Sequence, residues 1–383
     1  MNGLSNVSAY IYGEGVKKVN IGFCGDKIAY VGESAEGISP LSDIPAGAIV
    51  VPGFLDEHIH GAGGADVMDG DLAALKTISN YLAKEGTTSF LATTMTESRE
   101  KIVRALRSVR AAVGSDEITG ARVLGAHLEG PFLSTKRVGA QPIAYVEAPS
   151  TELFNEYNAA AGGSVKIVTL APEREGSAEL IRYLSARGVV ASLGHTDATY
   201  ADVVAAVRCG AKSITHTFNA QSGIGHREIG AAGAALLLDE INCEMICDTV
   251  HVSVPAIKLA LKCKPTEKFT LITDSMRAKG LSDGESELGG QKVFVANGEA
   301  RLTDGTLAGS VLKMNIAVRN LVTECGAPFE RAIDCATANP AKNIGVFDEC
   351  GSIAVGKYAD LTVLDDSFDV LLTIVGGKIV YRR

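Results

Sequence analysis

The feature that most constrains the fold of this chain is a repeated alternation of short apolar runs with helical stretches. One strand is expected at residues 51–60, and seven more runs follow it at Thr88–Thr93, Arg122–Leu128, Val165–Leu170, Val189–Leu193, Ser213–Phe218, Asn242–Cys247 and Phe269–Thr273. Eight strands that alternate with helices in one domain are the count of a (β/α)8 TIM barrel of the α/β class, and continuous apolar strands suit a buried parallel sheet. An open doubly wound sheet is less favoured, because no glycine-rich phosphate turn follows an early strand.

Polar residues that can cap a helix stand between these runs. Asp71 precedes a stretch whose apolar side chains recur at helical spacing, which predicts that its carboxylate caps that helix. Ser98, Ser150, Ser177 and Ser253 stand where further caps are expected. The helices between the strands therefore have recognisable beginnings.

The two ends of the chain follow a different pattern. Residues 7–33 alternate apolar and polar side chains around glycine turns, and residues 359–365 and 370–381 repeat that period of two. This pattern predicts β-strands. We therefore expect a small β-sandwich domain built from residues 1–50 and 348–383, with the barrel at residues 51–347.

Composition limits the partners and the compartment. The formal net charge of −9 argues against nucleic acid or an acidic membrane surface as a partner. No apolar run approaches the ~20 residues that cross a bilayer, and Met1–Asn6 does not begin a secretion signal. The eight cysteines are scattered, with no Cys-x-x-Cys pair, which favours buried free thiols. A cytoplasmic location is expected.

Metal-binding and acidic side chains fall at the ends of the predicted strands. His58 and His60 are spaced i, i+2, so both imidazoles point to the same side of an extended strand. Glu129, His195, His216, Asp248 and Asp274 end later runs or stand close to their ends, and His251 follows Asp248 by three residues. An isolated His-x-His is more often incidental, but the carboxyl ends of barrel strands converge on one face, where active sites are built. The set together predicts a metal site.

Imidazole and carboxylate ligands suit a divalent metal, with zinc first and iron, manganese or cobalt as alternatives. Such a metal makes bound water easier to deprotonate and polarises a carbonyl oxygen. A carboxylate beside the metal can accept the water's proton and deliver it to a leaving group. Asp274 is the candidate for this role, and a further metal ligand or a helix cap is its alternative reading.

Several motifs extend this pattern along most of the chain. They are the Pro-Gly-Phe-Leu-Asp-x-His-x-His strand, His127-Leu-Glu-Gly-Pro-Phe132, Leu193-Gly-His-Thr196, Thr215-His-Thr-Phe-Asn-Ala220, His226-Arg-Glu228, Thr273-Asp274 and Leu307-Ala-Gly-Ser310. With them the chain resembles the amidohydrolase superfamily and, within it, the N-acetylglucosamine-6-phosphate deacetylase family. The resemblance implies hydrolysis of the acetamide of N-acetyl-D-glucosamine 6-phosphate, which releases D-glucosamine 6-phosphate and acetate.

The resemblance also implies roles for individual residues. Glu129, His195 and His216 would bind the main metal, and Asp274 would be the acid and base. The sugar phosphate would be held by Asn219, Ala220, Arg227 and His251, with Asp248 nearby, and Leu307, Ala308 and Gly309 would line the acetyl end. In this family the arginine reaches the neighbouring subunit's site, which implies a homodimer. From the residues alone, Arg227 is more simply read as a solvated loop charge.

Two departures from the family pattern stand out. Some members lack the two first-strand histidines and bind one metal, whereas His58 and His60 are both present here and favour a second metal position. Where the family often has a histidine that polarises the substrate carbonyl, this chain has Gln141 after Ala140. A glutamine amide donates a hydrogen bond but carries no charge. Activation would then depend more on the metals, or the substrate would differ in detail, for example N-acetylgalactosamine 6-phosphate.

Two other classes of function are weighed against this one. A cyclic amidase of the same superfamily often has a modified lysine at the end of the fourth strand, but this chain has Leu170-Ala-Pro-Glu173 there. A deaminase would have a glutamate soon after His195, and this chain has none at that place. A non-catalytic barrel scaffold is the remaining alternative, and the complete ligand set with Asp274 counts against it.

Overall fold

The eight predicted barrel strands form one parallel sheet that is nearly closed on itself. The computed structural model describes all 383 residues. In chain order its strands are β1 (Asn2–Ile11), β2 (Gly15–Cys24), β3 (Lys27–Gly32), β4 (Ser39–Pro40), β5 (Ile49–Pro52), β6 (Phe54–Ile59), β7 (Gly61–Ala62), β8 (Ala65–Asp66), β9 (Thr87–Thr94), β10 (Arg122–Glu129), β11 (Val165–Leu170), β12 (Val190–Leu193), β13 (Ser213–Ile214), β14 (Asn242–Ile246), β15 (Phe269–Ile272), β16 (Gly284–Leu288), β17 (Gln291–Ala296), β18 (Glu299–Leu302), β19 (Leu361–Leu364), β20 (Val370–Val375) and β21 (Lys378–Arg382).

Ten α-helices complete the fold, most of them between the barrel strands. They are α1 (Leu72–Leu82), α2 (Arg99–Ala112), α3 (Thr151–Ala160), α4 (Ser177–Ser185), α5 (Tyr200–Cys209), α6 (Gly230–Leu237), α7 (Val254–Cys263), α8 (Met314–Thr323), α9 (Phe329–Ala336) and α10 (Ala338–Asn343), with short 3₁₀ turns at residues 67–69, 83–85, 143–145 and 266–268. None of these helices has the length and apolar character that a bilayer span requires.

The barrel sheet runs in the order β15-β14-β13-β12-β11-β10-β9-β6, so each strand lies beside the next one in the barrel. Its first and last members meet through main-chain bonds. The nitrogen of Asp274 donates to the carbonyl of His58, and the nitrogen of His60 donates to that of Ser275, each at 2.9 Å. The predicted (β/α)8 barrel is confirmed, and the ends of β6 and β15 lie side by side.

One predicted barrel strand is much shorter than expected. The apolar run was predicted to stay extended to Phe218, but β13 contains only Ser213 and Ile214. The chain leaves the extended conformation because His216 and Phe218 have φ angles of 31° and 81°. These left-handed angles are rare for side chains with a β-carbon. The run is therefore a strand for two residues and then a tight turn.

The predicted helix caps agree with the structure in part. Asp71 and Ser150 cap α1 and α3, and their side-chain oxygens accept main-chain N–H groups of the first turn. Ser98 and Ser253 take the cap positions of α2 and α7 without such a bond. The cap prediction for Ser177 is wrong, because α4 begins at this residue and its hydroxyl bonds to a carbonyl before the helix.

The strands at the two ends of the chain join in a separate sheet, as expected. Its order is β21-β20-β19-β5-β1-β2-β3, with β4 beside β1, so the small β-domain is a single sheet in its hydrogen bonding. It has a hydrophobic core of its own, which includes Leu4, Ile21, Val50, Leu361 and Ile374. Only Gly53 separates β5 of this sheet from β6 of the barrel, so the terminal sheet sits directly against the strand that carries His58.

A third sheet lies beside the carboxyl end of the barrel. β16, β17 and β18 form an antiparallel sheet between residues 284 and 302, for which the sequence motifs predict nothing. Its apolar side chains, among them Leu288 and Val293, pack against Met95 and Met276 at the barrel's carboxyl end. The side chain of Gln291 donates to the carbonyl of Ala140 at 2.7 Å. The sheet therefore forms part of the wall around the site.

Candidate active site

The predicted metal ligands come from five strands and meet at the carboxyl end of the barrel. His58 lies in β6, and His60 directly follows that strand. Glu129 is the last residue of β10. His195 and His216 each stand two residues after a strand, and Asp274 does so after β15. Because parallel strands all end on this face, residues far apart in sequence converge here.

Glu129, His195 and His216 form one compact group. Glu129 Oε1 lies 3.1 Å from the Nε2 atoms of both histidines, and those two nitrogens lie 3.1 Å apart. Two atoms that each lie about 2.1 Å from one metal ion at a tetrahedral angle are roughly 3.4 Å apart, close to these separations. Three electron-rich atoms so near to one another repel unless a cation or a proton lies between them. The group fits a metal ion.

His58, His60 and Asp274 form a second group beside the first. Asp274 Oδ1 lies 3.5 Å from His58 Nε2 and 3.2 Å from His60 Nε2. His58 Nε2 is buried and has no hydrogen-bond partner. Glu129 faces both groups, since its Oε1 is 3.6 Å from His58 Nε2 and its Oε2 is 3.1 Å from His60 Nε2. An unpartnered nitrogen pointed at carboxylate oxygens fits a second ion, which Glu129 could share.

The imidazole rings are oriented by bonds at their other nitrogens. His60 Nδ1 lies 3.3 Å from the carbonyl of Thr93, and His195 Nδ1 lies 3.1 Å from that of Arg137. A carbonyl oxygen only accepts, so the Nδ1 atom of each ring carries a proton and the Nε2 atom is the one that faces the site. Metal-binding histidines in proteins are generally fixed in this way.

Burial and charge in the cluster act on its ionisation. Burial alone would raise the pKa of Asp274, but His58 and His60 beside it lower that pKa to about 2. Burial acts to lower the pKa of His60, but its bonds to Asp274 and Glu129 outweigh that effect and raise the pKa to about 9. Burial would also raise the pKa of Glu129, and His58 and the other imidazoles bring it well below the usual range. The cluster therefore favours positive charge at its centre, which is the requirement for a cation site.

Three of these residues have strained backbones. The φ angles of His195, His216 and Asp274 are 47°, 31° and 47°, in the left-handed region that side chains with a β-carbon rarely adopt. Such angles cost on the order of 1–3 kcal/mol each and are common at functional sites. The strain turns each side chain inward just after its strand has ended.

A cavity of about 680 Å³, open to solvent, lies over both groups. Twelve of the residues predicted for the site line it: His60, Glu129, Ala140, Gln141, His195, His216, Asn219, Ala220, His251, Asp274, Leu307 and Gly309. Met95, Gly139, Leu288 and Thr306 line it as well and were not predicted. Apolar wall residues carry no chemical signature in a sequence, so no motif could have identified Met95 or Leu288.

Four predicted residues lie outside the cavity wall. His58 is buried behind the wall, and Ala308 is buried between two residues that do line it. Asp248 contacts His251 instead, with Oδ2 2.6 Å from Nδ1, and His251 itself lines the cavity. Arg227 is exposed on a surface loop with Ile224. No lysine or arginine lines the cavity.

Gln141 contacts the carboxylate of Glu129 directly. Its Nε2 donates to Glu129 Oε2 at 2.8 Å and lies 3.6 Å from Met95 Sδ. Its Oε1 accepts the main-chain N–H of Thr96 at 2.7 Å, which fixes the orientation of the amide. Both ends of the Gln141 side chain are therefore occupied by protein groups.

A barrel of eight parallel strands with histidine and carboxylate side chains gathered at their carboxyl ends defines a hydrolase of the amidohydrolase class. The model of the Amidohydrolase family matches residues 49–380, and the chain belongs to that family, whose members are metal-dependent hydrolases. Within it the chain belongs to the N-acetylglucosamine-6-phosphate deacetylases, as the resemblance predicted.

The similarity extends over nearly the whole chain. N-acetylglucosamine-6-phosphate deacetylase of Bacillus subtilis (strain 168) is 43% identical over 382 residues, which cover 99% of this chain and 96% of that protein. N-acetylgalactosamine-6-phosphate deacetylase of Escherichia coli O157:H7 is 35% identical and covers 86% of this chain and 87% of its own length. A mutant N-acetyl-D-glucosamine-6-phosphate deacetylase of Mycobacterium smegmatis, solved in complex with N-acetyl-D-glucosamine-6-phosphate, superposes with a TM-score of 0.91 at 32% identity, over 99% of this chain and 100% of that one.

Proposed function

We propose that this chain hydrolyses the acetamide of N-acetyl-D-glucosamine 6-phosphate and releases D-glucosamine 6-phosphate and acetate. The observation that carries the proposal is the convergence of four imidazoles and two carboxylates, including Asp274, at one end of a deacetylase-family barrel. The barrel at residues 51–347 would carry the chemistry, and residues 1–50 and 348–383 would form the supporting β-domain.

The proposal includes one or two divalent ions in each subunit. Glu129, His195 and His216 would hold the first ion, and His58, His60 and Asp274 would hold a second. Zinc suits nitrogen and oxygen ligands of this kind best, and iron, manganese or cobalt can take the same positions. When bound, such an ion polarises the acetyl carbonyl and makes water easier to deprotonate.

Asp274 would move the proton during the reaction. Its carboxylate is ionised and lies at the cavity wall, where it can accept a proton from water as the water oxygen bonds to the acetyl carbon. It would then donate this proton to the amine nitrogen as the carbon–nitrogen bond breaks. One water is consumed, and the products are acetate and the amino sugar.

Other cavity residues would position the sugar. Asn219, Ala220 and His251 line one part of the cavity and would hold the sugar phosphate, with Asp248 fixing the His251 ring. Leu307, with Ala308 and Gly309, would surround the acetyl methyl group. Gln141 would lie near the carbonyl, although its amide is bound to Glu129 in the structure.

A second copy of this chain would complete the phosphate site. A phosphate group needs a cation, and no lysine or arginine of the protomer lines the cavity. Arg227 is exposed and free to enter the site of a neighbour. We therefore include a homodimer in the proposal, with Arg227 acting across the interface.

The eight cysteines are all unpaired, which agrees with a reducing cytoplasm as the compartment.

The deciding experiment combines metal analysis with deacetylation rates. N-acetylglucosamine and N-acetylgalactosamine would be compared as substrates, each with and without the 6-phosphate. We expect metal-dependent acetate release that is fastest with N-acetylglucosamine 6-phosphate. Preference for the galacto phosphate would instead match the 35% identical relative from Escherichia coli. Absence of turnover on all four substrates with the metal bound would refute the proposal.

A further inference from the structure

Glu244 lies beneath the metal-binding histidines and has no part in the proposed reaction. It belongs to β14 and is fully buried. One of its oxygens, Oε2, lies 3.1 Å from His58 Nδ1 and 3.2 Å from the main-chain nitrogen of His216. A single carboxylate oxygen therefore contacts one member of each group of metal ligands.

The contact with His58 fixes the tautomer of that ring. An ionised carboxylate only accepts hydrogen bonds, so Glu244 Oε2 accepts from the His216 N–H and from His58 Nδ1, which then carries the proton. The lone pair of His58 Nε2 is left facing Glu129 Oε1 at 3.6 Å and Asp274 Oδ1 at 3.5 Å. This is the orientation in which the nitrogen can bind a cation. A carboxylate at the opposite nitrogen also makes such a ligand more basic.

Among the ligand histidines, His58 alone depends on an ionisable side chain for its orientation. His60 and His195 are held by main-chain carbonyls, which substitution does not remove. The turn that carries His216 is held twice by Glu244, since the Glu244 carbonyl also accepts the N–H of Thr217 at 2.9 Å. That second bond survives any change of the Glu244 side chain.

The Glu244 side chain is costly as a core residue. Its Oε1 is buried without a hydrogen-bond partner, and a polar atom in that state costs about 1–3 kcal/mol. An apolar side chain here would avoid that cost but would leave His58 Nδ1 and the His216 N–H without their acceptor. The Glu244 side chain is therefore suited to orienting these two donors.

We infer that Glu244 is a positioning residue for the metal site, acting mainly through His58. It determines how tightly the ion between His58, His60 and Asp274 is held and has little effect on the ion at Glu129. The inference rests on the proposed metal-dependent function and refines it, because it assigns the retention of the second ion to a side chain outside the ligand set.

The test measures how Co²⁺ binds to the full-length protein after its metal has been removed. Calorimetry and the visible absorption of the bound ion report the number of ions bound and their affinities. Glu244→Gln keeps an acceptor and removes the charge, while Glu244→Leu removes both. Glu57→Gln is the matched control, because Glu57 is equally buried but is bound by Asn343 and by no imidazole nitrogen. His58→Gln removes a proposed ligand of the second ion and shows the result expected when that ion is no longer held.

We expect the wild type and Glu57→Gln to bind two ions. Second-ion affinity should fall about 10-fold in Glu244→Gln and up to about 100-fold in Glu244→Leu, with first-ion affinity within a few-fold of wild type. If Glu244→Leu does not fold, the second-ion affinity of Glu244→Gln alone tests the inference. Unchanged second-ion affinity in the folded variants overturns the inference and leaves the proposed function intact. A wild type that binds one ion also overturns the inference, and a wild type that binds none overturns the proposed function with it.

Discussion

The side-chain amide of Gln141 donates to Glu129, with Nε2 2.8 Å from Oε2. Glu129 is the carboxylate that faces both groups of histidines, so this bond orients the carboxylate at the centre of the cluster. The amide in turn is held by the N–H of Thr96 at Oε1. These side-chain contacts of Gln141 favour a role in positioning Glu129, beside its proposed place near the substrate carbonyl.

Substitution of Gln141 by leucine should therefore weaken metal binding as well as catalysis. We expect the affinity of the first ion to fall about 10-fold, because a bond to a metal ligand is lost, with a lower kcat at saturating metal. Metal titration beside steady-state rates measures both effects. Gln291→Leu is the control, since Gln291 bonds to the adjacent Ala140 carbonyl without touching Glu129. A change in KM alone would assign Gln141 to the substrate instead.

Asp274→Asn should abolish most of the turnover while leaving the first ion in place. An amide cannot carry the proton from water to the amine, and removal of such a group typically costs 10²- to 10⁴-fold. The first ion should remain, because Glu129, His195 and His216 are unchanged. Acetate release and metal content are measured on the same preparation. Turnover within a few-fold of wild type would exclude Asp274 as the proton carrier.

The barrel and the convergence of the polar side chains were predictable because the sequence shows both where the strands lie and which polar residues stand at their ends. Apolar runs identify the strands, and polar residues at their carboxyl ends must meet on one face, as Glu129 and Asp274 do. The left-handed angles of His195 and His216 were not predictable, since such angles are uncommon for any residue with a β-carbon and tertiary contacts impose them here. The bond from Gln141 to Glu129 was likewise hidden, because it depends on how a loop folds back over the barrel.

A buried ion pair closes the barrel at its first and last units. Lys279 Nζ lies 2.8 Å from Glu85 Oε1, and the two side chains are 0% and 1% exposed. Lys279→Met should lower the free energy of unfolding by about 3–5 kcal/mol, because it leaves a buried carboxylate without its partner. Denaturant unfolding measures the loss. The double variant with Glu85→Leu should recover most of it, and equal losses in the single and double variants would contradict this account.

Asp334 should make stability depend on pH below neutrality. Burial raises the pKa of Asp334 to about 6, even though the Tyr10 hydroxyl donates to its Oδ1 at 2.8 Å. The folded chain thus binds this proton more tightly than the unfolded chain, whose pKa is near the usual value of about 4. Stability from this group is complete below pH ~4 and is lost as the pH rises through ~6.

The Asp334→Asn variant isolates that effect. The difference in free energy of unfolding between wild type and variant should change by on the order of 1 kcal/mol between pH 4 and 6, after allowance for solvent screening at a half-buried group. Above pH 7 the difference should be constant. Urea unfolding at fixed ionic strength provides the values. A difference that stays flat over the whole range would show that Asp334 keeps an ordinary pKa.

Arg227→Ala should raise KM for the phosphorylated sugar with a smaller change in kcat, because the arginine would bind the phosphate and not the acetamide. A loss of about 10-fold or more in kcat/KM is expected for a charge-assisted bond of about 1.5–3 kcal/mol. The unphosphorylated sugar should show little change, and Arg227→Lys should restore part of the loss. An unchanged KM would remove Arg227 from the phosphate site.

Mixing two impaired variants, assayed at a substrate concentration well below KM, decides whether Arg227 acts across subunits. In a mixed dimer of Arg227→Ala and Asp274→Asn, the subunit with an intact Asp274 receives an intact Arg227 from its partner if the arginine crosses the interface. One of the two sites is then complete, so activity should rise well above that of either variant alone after subunit exchange. If Arg227 served its own subunit, neither site in the mixed dimer would contain both residues, and mixing would restore nothing. The absence of recovery in proven mixed dimers would refute the shared site.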